Sequence, residues 1–200
     1  MSSTALVPSL VHPRSRAVAL LADVVLVALG VAVIALSAQV SIPLPNTPVP
    51  LTGQTFGVLL VGASYGSIRG FATMAAYLVV GGLGYAVFAE DASGWDMLRL
   101  SSATGGYLVG MLVAATLVGF LADRGWTRKP LLALVAMVLG NVVIYAFGVA
   151  WLMHAIDPNL TFAQGWAAGV RPFLPGDAIK ILLAAGLLPA AWKVVDAIRR

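Results

Sequence analysis

The run Ala17–Ala38 holds a single charge, Asp23, near one end. Crossing the hydrocarbon core of a bilayer takes about 20 apolar residues in helical form, and this stretch supplies them. The pattern recurs along the chain. Of its 200 residues, 60% are hydrophobic and 10% charged, against roughly 45–50% and 25% in ordinary soluble domains, and the mean hydropathy is +0.95. A water-soluble domain of this size could not bury so much apolar surface, so an integral membrane protein is expected and water-soluble enzymes are excluded. With no cysteine, disulfides, thiolate nucleophiles, Cys-ligated zinc and iron–sulfur clusters are excluded too. Two histidines, His12 and His154, with no HExxH pattern, leave little for a zinc site. No metal or cofactor is expected.

The apolar segments predict an all-α, six-transmembrane-helix bundle forming one membrane domain over residues 1–200, with 1–16 as a cytoplasmic segment. The predicted spans are Ala17–Ala38, Gln54–Tyr65, Ile68–Gly84, Gly105–Ala122, Leu131–Met153 and Pro175–Val195. Four prolines between Ser41 and Pro50 forbid a helix interior there. The second span is too short for a straight crossing and must be tilted, irregular or shielded by protein. Glu90–Arg99 reads as a charged loop and His154–Arg171 as a polar segment. The N-terminal apolar run is too long for a cleavable signal.

Alternating loops place nine cations on one side: Arg14, Arg16, Arg69, Arg124, Arg128, Lys129, Lys193, Arg199 and Arg200. Three, Arg99, Arg171 and Lys180, fall on the other. Positive charge concentrates on cytoplasmic loops, so both termini are expected inside, in a multi-pass protein of a bacterial-type inner membrane. Glycines four apart, such as Gly62/Gly66 and Gly106/Gly110, fit close helix packing, and Ala28/Ala32 on the first span are a similar signal.

Ionisable and polar groups within spans are functional candidates because lipid makes them costly. Asp177 and Lys180 share one face at the start of the sixth span. Thr52 and Gln54 open the second, Asn141 and Tyr145 lie along the fifth, and Arg99 precedes the fourth. All fall in the outer half, which predicts a pocket open to the outside and not a continuous channel. Such a pocket, with Tyr107, Tyr145, Trp151 and Phe173 nearby, suits a small ligand with amide-like donors and acceptors and an apolar body. Each group also has a structural reading: an ion pair for Asp177–Lys180, helix-start caps for Thr52 and Gln54, an interhelical hydrogen bond for Asn141. Asp23 reads as structural, and the Asn159-Leu-Thr161 acceptor pattern as coincidence.

Several motifs then resemble one family. They are Pro48-Val-Pro-Leu-Thr-Gly-Gln-Thr55, Gly81-Gly-Leu-Gly84 with Val87-Phe-Ala89, Thr104-Gly-Gly-Tyr-Leu108, Gly140-Asn-Val-Val-Ile-Tyr145 with Gly148 and Trp151-Leu152, and Pro172-Phe-Leu-Pro-Gly-Asp-Ala-Ile-Lys180. In this order they are similar to the BioY family, the biotin-binding S components of energy-coupling factor (ECF) transporters. One departure is Ser102-Ala103, where the family usually has Gly-Pro. The resemblance implies a six-helix S-component fold with biotin held near the outer face. It implies Asp177 and Lys180 as polar ligand contacts, with Gln54 and Asn141 in the family's other motifs; Thr52, Tyr145 and Arg99 complete the candidate set. It further implies that Ala28 and Ala32 dock on a transmembrane coupling protein. ATP hydrolysis would fall to partner subunits, consistent with the absence of G-x-x-x-x-G-K-[ST]. Expected partners are biotin, membrane lipid, and coupling and ATPase subunits or further copies of the chain, with no nucleic acid. The alternatives are an S component for another small vitamin or a stand-alone biotin carrier. An intramembrane serine protease fits poorly, since Ser64 sits in Gly62-Ala-Ser-Tyr65 without the second glycine.

Overall fold

The structure, a computed structural model, describes residues 5–10, 15–45, 47–156 and 159–198. Arg14, Arg199, Arg200 and His12 lie outside them. The elements are α1 (Leu6–Leu10), α2 (Arg16–Gln39), β1 (Ser41–Ile42), β2 (Leu51–Thr52), α3 (Gln54–Tyr65), α4 (Ser67–Gly82), α5 (Gly105–Asp123), α6 (Pro130–Ile156), α7 (Phe162–Gly169) and α8 (Leu174–Ile198). Short 3-10 turns cover Ala89–Asp91, Trp95–Leu98 and Trp126–Arg128.

Among the described residues, four helices are long and apolar enough to cross a membrane: Arg16–Gln39, Gly105–Asp123, Pro130–His154 and Leu174–Ala197. Helices α3 and α4 are shorter, at 12 and 16 residues, and are shielded by their neighbours. Seven residues of α3 are buried.

Helix α5 is the centre of the bundle, packed against α3, α4 and α6. Its apolar stretch is 67% buried, that of α2 only 11%. Small residues explain how the backbones approach. A Cβ on Gly62 would stand 2.6 Å from the Ala115 carbonyl oxygen, and one on Gly119 would stand 2.5 Å from the Gly66 carbonyl carbon. These glycines therefore serve contacts within the bundle.

The α3–α4 corner turns at Gly66, whose φ of 84° suits glycine. Asp123, at the end of α5, then accepts from the Ser67 amide at 2.9 Å and the Ser67 hydroxyl at 2.7 Å. A carboxylate from another helix thus satisfies the start of α4. Asp23, expected to be structural, accepts from Arg69 Nε at 2.7 Å and ties α2 to α4.

After α2 the prolines force extended chain. It returns as a minimal antiparallel hairpin with Ser41 opposite Thr52 and Ile42 opposite Leu51. Within the segment read only as polar, His154–Arg171, the structure places α7. Its start is a capping box: the Thr161 hydroxyl accepts from the Gln164 amide while the Gln164 side chain accepts from the Thr161 amide.

Candidate functional site

Where α3 and α8 begin, the bundle holds a cavity of about 340 Å³, within the roughly 300–1,000 Å³ usual for small-molecule sites. The proline-rich hairpin, the start of α3, the segment Phe88–Ala92, Ser102–Thr104 before α5, and facing sides of α5, α6 and α8 enclose it.

Asp177 lies in the first turn of α8 and is 4% exposed. Lys180 follows one turn later on the same face. Its ammonium donates to Asp177 Oδ1 at 2.6 Å, to the Thr52 carbonyl oxygen at 2.6 Å and to Thr55 Oγ1 at 3.0 Å. An ammonium has three protons, so all three are used. The Thr55 hydroxyl donates to Asp177 Oδ1 at 3.2 Å, and the Tyr145 hydroxyl donates to Asp177 Oδ2. A buried ion pair is tolerable only when hydrogen bonds from several sides offset its desolvation, which these supply. The pair sets a carboxylate and an ammonium side by side on the cavity wall.

Thr52 contributes its carbonyl to Lys180, while its hydroxyl accepts from the Gln54 amide at 3.3 Å and caps the start of α3. Gln54 is 4% exposed and lines the cavity. Its side-chain nitrogen donates to the Tyr77 hydroxyl at 2.9 Å, which donates onward to the Val87 carbonyl at 2.7 Å. The Gln54 side-chain carbonyl has no hydrogen bond among the described residues. Tyr107 and Phe173 form an aromatic wall, edge to face at 6.4 Å. The Tyr107 hydroxyl is fixed on the Gly169 carbonyl at 2.8 Å.

Five of the expected ligand residues, Thr52, Gln54, Tyr145, Asp177 and Lys180, therefore meet around one cavity. Two do not. Arg99 is an exposed surface residue, paired with Asp96 at 2.9 Å, with side chains 71% and 77% exposed. Asn141 donates to the Met137 carbonyl of its own helix at 3.0 Å, and its buried side-chain oxygen has no partner among the described residues. It borders an apolar groove between α6, α7 and α8 on the far side of Tyr145. Ala28 and Ala32 are exposed on α2, while Gly30, Ile34 and Ala38 face the bundle.

The sequence reading left out Thr55 and Tyr77. Thr55 carries a signal, a hydroxyl beside Gln54 in the same motif. Tyr77 offers only an aromatic hydroxyl within an apolar helix, and its part depends on where Gln54 and Val87 meet it.

A model of the BioY family matches residues 9–197. The chain is 35% identical to the biotin transporter BioY of Rhizobium etli, over 82% of this chain and 89% of that protein. It is also 35% identical to the biotin transporter BioY of Thermotoga maritima, over 77% of this chain and 86% of that one. Among solved structures it is similar to the S-component for biotin from an ECF-type ABC transporter, with a TM-score of 0.78 at 22% identity, covering 90% of this chain and 95% of that one. At that identity the likeness speaks to the fold.

Proposed function

The chain belongs to the BioY family, and on that premise we propose that it binds biotin in the Asp177–Lys180 cavity and serves as the substrate-specific subunit of an ECF-type importer. The observation that carries this reading is the buried, fully hydrogen-bonded Asp177–Lys180 pair on the wall of a ligand-sized cavity. Biotin's ureido ring offers two N–H donors and a carbonyl; its valerate tail ends in a carboxylate. Asp177 and the free carbonyl of Gln54 accept the N–H groups. Lys180 gives to an oxygen by exchanging one of its three internal hydrogen bonds, that to the Thr55 hydroxyl, for one to the ligand. Tyr107 and Phe173 pack against the thiophane ring and tail.

The topology in this proposal has six crossings, α2 to α6 and α8, with both termini in the cytoplasm of a bacterial-type inner membrane. Supporting it, α3 and α8 begin at the cavity; at its other end α3 turns at Gly66 close to Arg69, and α8 carries Lys193 in its last two turns. Ala28 and Ala32, exposed on the least embedded helix, meet a transmembrane coupling protein; ATP hydrolysis resides on partner subunits. Equilibrium binding of biotin, riboflavin and thiamine to detergent-purified protein is the direct test. Saturable binding of biotin alone is expected. Preference for another vitamin, or none for biotin, would overturn the assignment.

A further inference from the structure

We infer that Gln39 is a positioning residue that latches the cavity's outer segment, Val87–Ala92, closed against strain in its own backbone. Three observations carry this. Phe88, Ala89, Glu90 and Ala92 line the cavity, so the placement of this segment sets its outer wall. Glu90 and Asp91 are the two described non-glycine residues with positive φ, at 59° and 57°, and they are consecutive. Side chains rarely adopt that conformation, and it persists where the surroundings impose it, commonly at ligand clamps. Gln39, the last residue of α2, supplies the imposing bonds: its side-chain nitrogen donates to the Phe88 carbonyl at 2.9 Å, and its side-chain oxygen accepts from the Asp91 amide at 3.3 Å. One planar amide brackets the strained pair, which needs a donor and an acceptor in a single side chain.

The segment's inner edge is held separately. The Phe88 ring is 1% exposed and fills a notch at Gly81, where a Cβ would stand 2.2 Å from the ring. The Tyr77 hydroxyl holds the Val87 carbonyl. Those anchors precede the strained residues, the Gly94 amide follows them with a bond to the Gly81 carbonyl at 2.7 Å, and the amide of Gln39 is the side-chain contact that spans them. Releasing it lets Glu90–Asp91 relax toward negative φ and swings Glu90 and Ala92 away from the cavity mouth. The two Gln39 bonds thus add to the segment's own backbone bonds, Phe88 N–H to the Ala92 carbonyl at 3.1 Å and Ala92 N–H to the Ala89 carbonyl at 3.2 Å, in holding the strained pair.

The binding arm of the test rests on the biotin reading; the exchange arm does not. Purified full-length protein is compared with Gln39→Ala, with Gln39→Met, which keeps the length and removes both polar atoms, and with Gln39→Ala/Asp91→Gly. Without ligand, amide hydrogen exchange in residues 86–94 should rise in both single variants while α5 stays unchanged. Biotin dissociation, followed by chase, should be about tenfold faster in both. Adding Asp91→Gly should restore much of the slow dissociation and protection, since glycine accepts positive φ without strain. Unchanged exchange in Gln39→Ala and Gln39→Met overturns the latch. So does failure of Asp91→Gly to restore protection, because lost packing alone would not respond to a glycine. If exchange behaves as expected but the wild type binds no biotin, the ligand assignment fails and the latch stands.

Discussion

Lys180 stands one turn after Asp177 on α8, its ammonium 2.6 Å from Asp177 Oδ1, and the two side chains are 18% and 5% exposed. Removing either member strands the other. Losing a hydrogen bond to a charged group costs about 1.5–3 kcal/mol, and each 1.4 kcal/mol is about tenfold in affinity. Asp177→Asn and Lys180→Ala are each expected to weaken biotin binding at least about tenfold. The double variant should cost less than both singles together, because the groups act as a unit. Titration of monodisperse protein checks this; near wild-type affinity in both singles would reduce the pair to structure alone.

Tyr145 and Asn141 are one turn apart on α6 but differ in what they touch. Tyr145 donates to Asp177 and lines the cavity; Asn141 bonds its own helix. Tyr145→Phe should weaken biotin binding about tenfold. Asn141→Leu should stay within about threefold of wild type, with little change in melting temperature, since its side-chain oxygen has no partner among the described residues. The reverse order in a binding titration would mean that the ligand sits in the groove beyond Tyr145.

Ala28 and Ala32 face outward from α2, so enlarging them disturbs no packing within the bundle. Ala28→Leu/Ala32→Leu should leave biotin affinity unchanged while abolishing co-purification with coupling subunits and lowering uptake. Loss of affinity with association intact would place the stripe against the ligand or the core.

In the proposed topology both termini lie inside, as the nine-to-three division of cations predicts. A phosphatase or fluorescent reporter fused after Arg200 should report only the cytoplasm. External activity would reverse the orientation and, with it, the side from which the cavity opens.

Gly148 supports Tyr107: a Cβ there would stand 2.3 Å from the ring, whose hydroxyl is fixed on Gly169. Alanine favours a helix by about 1 kcal/mol over glycine, yet the displaced ring should cost about 1–3 kcal/mol. Gly148→Ala is therefore expected to lower thermal stability in detergent and loosen biotin binding. An unchanged melting temperature would show that the ring can retreat.

The helix positions were legible because lipid imposes one strong rule, apolar length, and because glycine and proline punctuate it: α3 falls between Gly53 and Gly66, and the prolines after Ser41 stop α2 from continuing. The Asp177–Lys180 face was legible from spacing. Depth alone did not show that Asn141, on the same helix as Tyr145, bonds the Met137 carbonyl of its own helix and borders the neighbouring groove. Arg99 was placed on the correct loop, but its pairing with Asp96 is a short-range choice that span counting does not resolve. Helix α7 had a local signature, Thr161-Phe-Ala-Gln164, hidden in a segment judged only by polarity. The Gln39 contacts join residues about fifty positions apart and leave no trace in the sequence.

The shortness of α3 has a spatial meaning. At roughly 1.5 Å per residue its 12 residues rise about 18 Å, against about 30 Å of hydrocarbon. It begins beneath the cavity, at Gln54 and Thr55, and the proline-rich hairpin closes the gap above. The chamber is thus space subtracted from an unfinished helix, not a crevice worn between complete ones. Its depth follows from where that helix begins, so adding or deleting one turn before Gln54 would make a smaller or larger chamber while α4 to α8 keep their places.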